Sequence, residues 1–344
     1  MKGCEQLNKK PPSISDVAQA AGTSVSTVSR YLNKGYVSVD LESRIRTAID
    51  KLNYVPSRFA RALKESKNKE IALIVPDIFN PFFTMIYDAT QKYCEKNAYS
   101  VILHNAGMDE KGELDRLKMC QKMQAAGLIF CSENPGAIVM EQIKKLSIPV
   151  VLTNLQEPLL FDTIYSENGQ GVYAATKYIC GLGHKRIAYS GGPEESVVNK
   201  QRKEDFLRAA NEAGLAVTKD YIFEMAYSMD SGYKSGLYFF SLAEPPTAII
   251  AANDIIAMGV IMASYEIGKR IPEDFSLTGV DNIDFTKICR PALTTVDNEP
   301  VGFAQKACDF LFNRLIEGYE GEPRVSARPS NLIVRDSTAP PKHK

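Results

Sequence analysis

Ile14-Ser15-Asp16-Val17-Ala18-Gln19-Ala20-Ala21-Gly22, followed two residues later by Val25-Ser26-Thr27-Val28-Ser29-Arg30-Tyr31-Leu32-Asn33, reads as two short helices joined by a tight turn. Ser13 or Ser15 can cap the first helix, whose buried face takes in Val17, Ala18 and Ala21. Gly22 tolerates the left-handed backbone that such a turn requires. Ser24 can cap the second helix, with Val28 and Leu32 pointing inward four residues apart. A small Ala18 lets the helices cross closely, Gly22 makes the turn and Val28 fills the gap, which is the spacing of a helix-turn-helix. Other small three-helix bundles share that spacing. In the helix-turn-helix reading Val25, Ser26, Ser29 and Arg30 face outward. Their short side chains let the backbone approach a major groove, and Arg30 can meet phosphate or guanine.

On either side of this stretch the character changes. Residues 1–12 read as a frayed tail ending in Lys9-Lys10-Pro11-Pro12. Downstream, Asn33-Lys34-Gly35 breaks the helical pattern, Asp40 can cap a third helix buried along Ile45, Ala48, Ile49 and Leu52, and Pro56 can open a short fourth helix over 56–64. Glu65-Ser66-Lys67-Asn68-Lys69 is a polar linker. Residues 1–70 hold 13 Lys and Arg against 7 Asp and Glu, and the remainder 28 against 34. A basic head on an acidic body points to a polyanionic partner, nucleic acid being the usual one.

From Glu70 onward, apolar strand-like runs (71–75, 100–104, 127–131, 149–153, 186–190, 248–251, 276–280) alternate with helical patterns (81–96, 109–124, 169–181, 202–213, 230–242, 254–268). Such alternation means parallel sheets with helices on both faces. About ten strands exceed one compact core, so the expected class is α/β: a small all-α head plus two doubly wound parallel-sheet subdomains. Ligands bind such sheets at the carboxyl ends of the strands, and two facing subdomains would form a cleft.

Composition narrows the function. The chain has 344 residues, 44% hydrophobic and 24% charged, with no apolar run long enough for a membrane span, so no membrane partner is expected. The first residues lack the apolar stretch of a secretory signal, and seven scattered Cys without a Cys-x-x-Cys pair suit a reducing cytoplasm. With three His, and none of the nucleophile-elbow, phosphate-loop, zinc-protease or dinucleotide motifs, neither an enzyme nor a cofactor is expected.

Taken together, the stretches quoted above and Leu52-Asn53-Tyr54-Val55-Pro56 resemble the lactose-repressor (LacI) family of bacterial transcription regulators. The resemblance runs through Pro76-Asp77-Ile78-Phe79-Asn80-Pro81-Phe82-Phe83, Gly183-His184-Lys185-Arg186-Ile187-Ala188, Ala252-Asn253-Asp254, Thr278-Gly279-Val280-Asp281-Asn282 and Pro291-Ala292-Leu293-Thr294-Thr295-Val296. Cys131-Ser132-Glu133 resembles the purine-repressor branch. The resemblance implies subdomains of periplasmic-binding-protein type, with a helix-turn-helix domain over 1–55, a hinge helix and linker over 56–69, and an effector-binding and dimerisation domain over 70–344. In that last domain the chain would cross between subdomains near 162–166, 292–297 and 325–332.

It also assigns roles. Double-stranded operator DNA would be met by Ser24, Val25, Ser26, Thr27, Ser29, Arg30, Asn33, Tyr54, Arg58, Arg61, Leu63 and Lys64. Leu63 matches the apolar wedge that unstacks a central base step. The effector cleft would hold Phe82, Phe83, Ser132, Asn154, Arg202, Tyr227, Asn253 and Asp281, a set suited to a sugar, sugar phosphate or nucleobase. Plainer roles remain open: core packing for Phe82 and Phe83, a surface pair with Glu204 or Asp205 for Arg202, and helix capping for Asn253. Asp205-Phe206, Glu167-Asn168-Gly169 and Asn298 depart from the family pattern. The expectation is a transcription repressor that binds a palindromic operator as a dimer and is switched by a small effector. A catabolite-control-type regulator with a phosphoprotein co-effector, or a transport-type sugar-binding protein, are the alternatives. The tail 334–344 has no leucine heptad to assemble a tetramer.

Overall fold

The computed structural model describes residues 12–33, 35–54, 68–154 and 160–342. The chain divides into two compact units, Met1–Asn68 and Lys69–Lys344. The expected short helix over 56–64 lies outside the described residues.

The first unit packs three helices, α1 (Ile14–Ala21), α2 (Val25–Leu32) and α3 (Val39–Leu52). Ser13 caps α1 reciprocally with Asp16, and Gly22 ends it at φ 62°. Arg44 then donates to the Gly22 carbonyl at 3.1 Å, tying α3 to the turn. Val17, Ala18, Ala21, Val28, Ile45 and Ala48 form the core. One boundary differs from expectation: Asp40 does not cap α3. The helix starts at Val39 with Ser38 in the cap position, and Asp40 sits in the first turn, 3.5 Å from Arg44.

The second unit contains two six-stranded sheets. The first sheet has the order β11-β5-β4-β3-β1-β2, from β1 (Glu70–Val75), β2 (Ser100–Asn105), β3 (Gly127–Phe130), β4 (Val150–Thr153), β5 (Asp162–Ser166) and β11 (Val325–Arg328). All its pairings are parallel. The second has the order β12-β10-β9-β8-β6-β7, from β6 (Ile187–Gly191), β7 (Ile222–Glu224), β8 (Ala248–Ala251), β9 (Ser276–Val280), β10 (Thr294–Asp297) and β12 (Asn331–Ile333). Only β12 runs antiparallel. The chain passes between the sheets after Ser166, after Asp297 and after Arg328.

Helices α4 (Pro81–Lys96), α5 (Glu110–Lys122), α6 (Ala137–Lys144) and α12 (Pro300–Leu315) cover the first sheet. The second is flanked by α7 (Asn168–Gly181), α8 (Val197–Glu212), α9 (Met229–Ser241) and α10 (Asp254–Glu266), with the short α11 (Phe285–Ile288) at its edge. Strand interiors such as Ile71–Val75 and Ala248–Ala251 are buried on both faces, which is why they read as continuous apolar runs. The tail straps the second sheet: the Leu277 amide donates to the Ser337 carbonyl at 2.9 Å, and Ser276 Oγ donates to that of Ala339 at 3.0 Å.

Candidate functional site

In each sheet the strand order reverses beside the first strand of its lobe, between β1 and β3 and between β6 and β8. Loops leaving such a switch point diverge to opposite faces and open a crevice at the carboxyl ends. The residues lining the pocket follow from this. Asn80, Phe82 and Phe83 come after β1, Glu133 after β3, Asn154 after β4, and Ser166 ends β5. From the second lobe come Val198 and Arg202 on α8 after β6, Tyr227 after β7, Asn253 after β8 and Asp281 after β9. Together they line a pocket that is partly open to solvent.

Seven of the eight residues expected in the cleft line it: Phe82, Phe83, Asn154, Arg202, Tyr227, Asn253 and Asp281. Ser132 does not. It is buried and donates to Glu113 Oε1 on α5 at 2.6 Å, beneath the first sheet. The chain leaving β3 turns successive side chains to opposite sides, so the neighbouring Glu133 faces the pocket instead. Asn80, Glu133, Ser166 and Val198 were not singled out from the sequence, although Glu133 stood in the quoted motif.

Helix starts position the polar groups. Asn80 Oδ1 caps α4 at the Phe82 amide (3.0 Å), Ser196 caps α8 at the Asn199 amide (3.0 Å), and Asn253 Oδ1 caps α10 at the Ile256 amide (2.8 Å). Asn253 therefore both caps and lines. Asn154 adopts φ 62°, which turns the chain at the end of β4. Phe82 and Phe83 meet edge to face at 5.4 Å between centroids.

Arg202 is buried rather than on the helix surface. Its Nη1 donates to the Ala252 carbonyl at 2.6 Å, and its Nη2 lies 3.7 Å from Asp281 Oδ1. Asn298 Nδ2 also donates to that Asp281 oxygen at 3.2 Å, and Ser330 Oγ donates to Asn298 Oδ1 at 2.6 Å. Burial pushes the Asp281 carboxyl up to about 6, with the Arg202 guanidinium pulling the other way. Across the cleft, Ser196 Oγ donates to Glu133 Oε2 at 2.6 Å. Desolvation lifts the Glu133 carboxyl above its ordinary range, against the Ser196 hydrogen bond and the Arg202 charge. Desolvation likewise keeps the Tyr227 phenol protonated, 3.4 Å from Ser196 Oγ. The arrangement offers aromatic faces, directed acceptors and one fixed cation, enough to orient a small ring but with no nucleophile–base pair among the described residues.

Gly192 is the backing of this pocket, since a Cβ there would sit inside the Tyr227 ring. Gly192→Ala should drive that ring into the cavity and weaken ligand binding at least tenfold, with an overpacking cost of ~1–3 kcal/mol. Calorimetric titration of a ligand found by thermal-shift screening checks this. Unchanged affinity would mean that Tyr227 does not bound the ligand.

In the first unit, Val25, Ser26 and Arg30 stand exposed on α2, and Thr27 and Ser29 are half-buried. Ser24 Oγ accepts from the Thr27 amide at 3.2 Å, and Asn33 Nδ2 donates to the Ser29 carbonyl at 2.7 Å. Tyr54 is a correction. Asn53 at φ 46° folds the chain back, and Tyr54 is buried in the head core at 8% exposure, so its ring packs rather than faces outward. Arg58, Arg61, Leu63 and Lys64 lie outside the described residues. No helix among the described residues is long and apolar enough to cross a membrane.

Fold and site define a class: a two-lobed ligand-binding body of α/β sheets whose chain also carries a helix-turn-helix head. The chain belongs to the lacI family of bacterial regulatory proteins. Residues 13–57 match that family, and residues 176–338 match the periplasmic binding protein-like domain. It is 33% identical to the HTH-type transcriptional repressor PurR of Pasteurella multocida over 327 residues, covering 94% of this chain and 98% of that one. To the PurR of Photobacterium profundum it is 32% identical, with the same coverage. Among solved structures, a LacI family transcriptional regulator from Enterococcus faecium with bound ribose is 28% identical. It superposes with a TM-score of 0.73, over 80% of this chain and 100% of that one. The lac repressor dimer bound to operator and the anti-inducer ONPF shares the fold, with a TM-score of 0.81 and 22% identity, over 96% of this chain and 100% of that one.

Proposed function

We infer that this chain is a sequence-specific DNA-binding repressor that acts as a homodimer on a palindromic operator and is switched by a small molecule held in the cleft. One observation carries the reading: a helix-turn-helix head and a polar pocket between two lobes occur on one chain whose repressor relatives match it almost end to end. Residues 1–55 are assigned to DNA reading, 56–69 to the hinge and linker, and 70–344 to effector binding and dimerisation. On α2, the groove-facing set is Val25, Ser26, Ser29 and Arg30, with Ser24, Thr27 and Asn33 shaping the helix ends. The protein acts in the cytoplasm, without a catalytic step. Effector binding changes the angle between the lobes and, through the hinge, operator affinity. Such a coupling is worth ~1–3 kcal/mol.

The test is selection of binding sites from random duplex DNA by the full chain, followed by titration at several salt concentrations. Enriched sites should be palindromic and bind two chains. With ~6–10 phosphate contacts, affinity should fall ~10³–10⁵-fold between ~50 and ~200 mM salt. Arg30→Ala should relax selectivity at one position of each half-site. No palindromic enrichment, or binding indifferent to salt, would sink the reading.

A further inference from the structure

Two carboxylates and one guanidinium line the cleft: Glu133, Asp281 and Arg202. The guanidinium donates to the Ala252 carbonyl at 2.6 Å and forms an ion pair with Asp281 at 3.7 Å. Glu133 reaches across from the first lobe. One of its oxygens accepts a hydrogen bond from the Ser196 hydroxyl at 2.6 Å, and the other accepts no hydrogen bond among the described residues. An anionic ligand group would ordinarily settle at a helix N-terminus, where backbone amides and the helix dipole favour negative charge. At α8 that place is held by the protein itself: Ser196 caps the Asn199 amide and donates to Glu133. The starts of α4 and α10 are likewise capped by their own Asn80 and Asn253.

We propose that Glu133 is a specificity-determining carboxylate, which selects an uncharged effector presenting several O–H or N–H donors and rejects the phosphorylated form of the same compound. A free sugar and a free nucleobase share this chemistry. Either can give a donor to the open oxygen of Glu133 and another to Asp281, while its ring lies against Phe82 and Tyr227. A phosphate in the same cavity meets two carboxylates and a cation whose charge is already balanced. The inference deepens the effector reading of the cleft and rests on it.

The test is calorimetric titration of the full chain with paired probes: D-ribose and D-ribose 5-phosphate, D-glucose and D-glucose 6-phosphate, adenine and adenosine monophosphate. One uncharged probe should bind, with its phosphorylated partner at least 100-fold weaker; which probe binds separates sugar from base. Glu133→Gln keeps the shape and the Ser196 contact, and should cut the discrimination at least tenfold by tightening the phosphorylated probe. Ser196→Ala removes the bond across the cleft but leaves the carboxylate, and should preserve the discrimination. Melting curves of both variants confirm folding. Tight binding of a phosphorylated probe by the unaltered chain, unchanged discrimination in Glu133→Gln, or its loss in Ser196→Ala each overturns the role of Glu133 alone. Silence across all six probes overturns the cleft as an effector site, and this inference with it.

Discussion

Asp162→Ala should lower the unfolding free energy of the second unit by about 3–5 kcal/mol, the usual consequence of removing one member of a buried ion cluster. Asp162 is fully buried at the start of β5. Arg314 grips it through Nε at 2.7 Å and Nη2 at 3.0 Å, and Arg324 through Nη2 at 2.7 Å and its own amide at 2.8 Å. Arg324 also stacks 4.2 Å from the Phe310 ring and 4.3 Å from that of Tyr319. One carboxylate thus joins the start of β5, the end of α12 and the approach to β11, at the edge of the first sheet opposite the passages between the lobes. Burial opposes its charge, but the Arg314 and Arg324 hydrogen bonds prevail and hold its carboxyl below the ordinary 3.8. The sign follows: the stabilisation is complete above the unfolded value and is lost as pH falls through the folded one. The difference between the unaltered chain and Asp162→Ala should therefore shrink only below 3.8. The chain has no Trp, so urea titration followed by circular dichroism is the suitable measurement. A difference under ~1 kcal/mol at neutral pH would mean that the cost of desolvating the three charges cancels their attraction.

How legible the fold was depended on how each element is stabilised. The bounds of α4 could be read to the residue, because Asn80 caps it and Pro81 occupies its first turn. The sequence pattern puts the start of α8 at Arg202, five residues late, because its first turn carries little apolar periodicity beyond Val197 and Val198 and depends on the Ser196 cap. Strand β5 gave no apolar run, since Asp162, Thr163 and Ser166 are polar residues made tolerable inside by hydrogen bonds. Strands β11 and β12 are short and half-exposed, and pairing across the chain rather than local preference makes them strands.

The site was legible where a side chain's identity implies its work, as with Arg202 and Asp281, and less so where phase decides. Ser132 and Glu133 are adjacent, and only the path of the chain beyond β3 shows which one enters the cleft. Asn298, quoted as a departure from the family pattern, is buried between Asp281 and Ser330. Its amide reaches the carboxylate, so this departure alters the surroundings of Asp281 rather than abolishing its support.

Arg202 and Asp281 should prove indispensable to effector binding, each single variant losing on the order of 2–5 kcal/mol of affinity because a buried charge loses its mate. Arg202→Met leaves Asp281 unpaired, and Asp281→Asn leaves Arg202 unpaired, so both singles should also lose stability. The double variant separates the two effects. Removing both charges should return much of the stability, as replacing a whole buried pair commonly does, while affinity stays lost because the ligand needs the fork and the acceptor themselves. Recovery of affinity in the double variant would show that the pair is only structural. Acid gives an independent check. With its carboxyl at about 6, Asp281 accepts a proton as pH falls through that value, and affinity should decline with it. That decline is not unfolding at this group: between 6 and 3.8 the folded chain binds the proton more tightly than the unfolded chain, so acidification there favours the folded state. Titrations from pH 8 to pH 5, with melting curves at each pH, should show affinity falling in the unaltered chain and a shallower fall in Asp281→Asn, where Glu133 is the remaining raised carboxyl of the cleft. Equal pH dependence in both would place the responsible proton on another group.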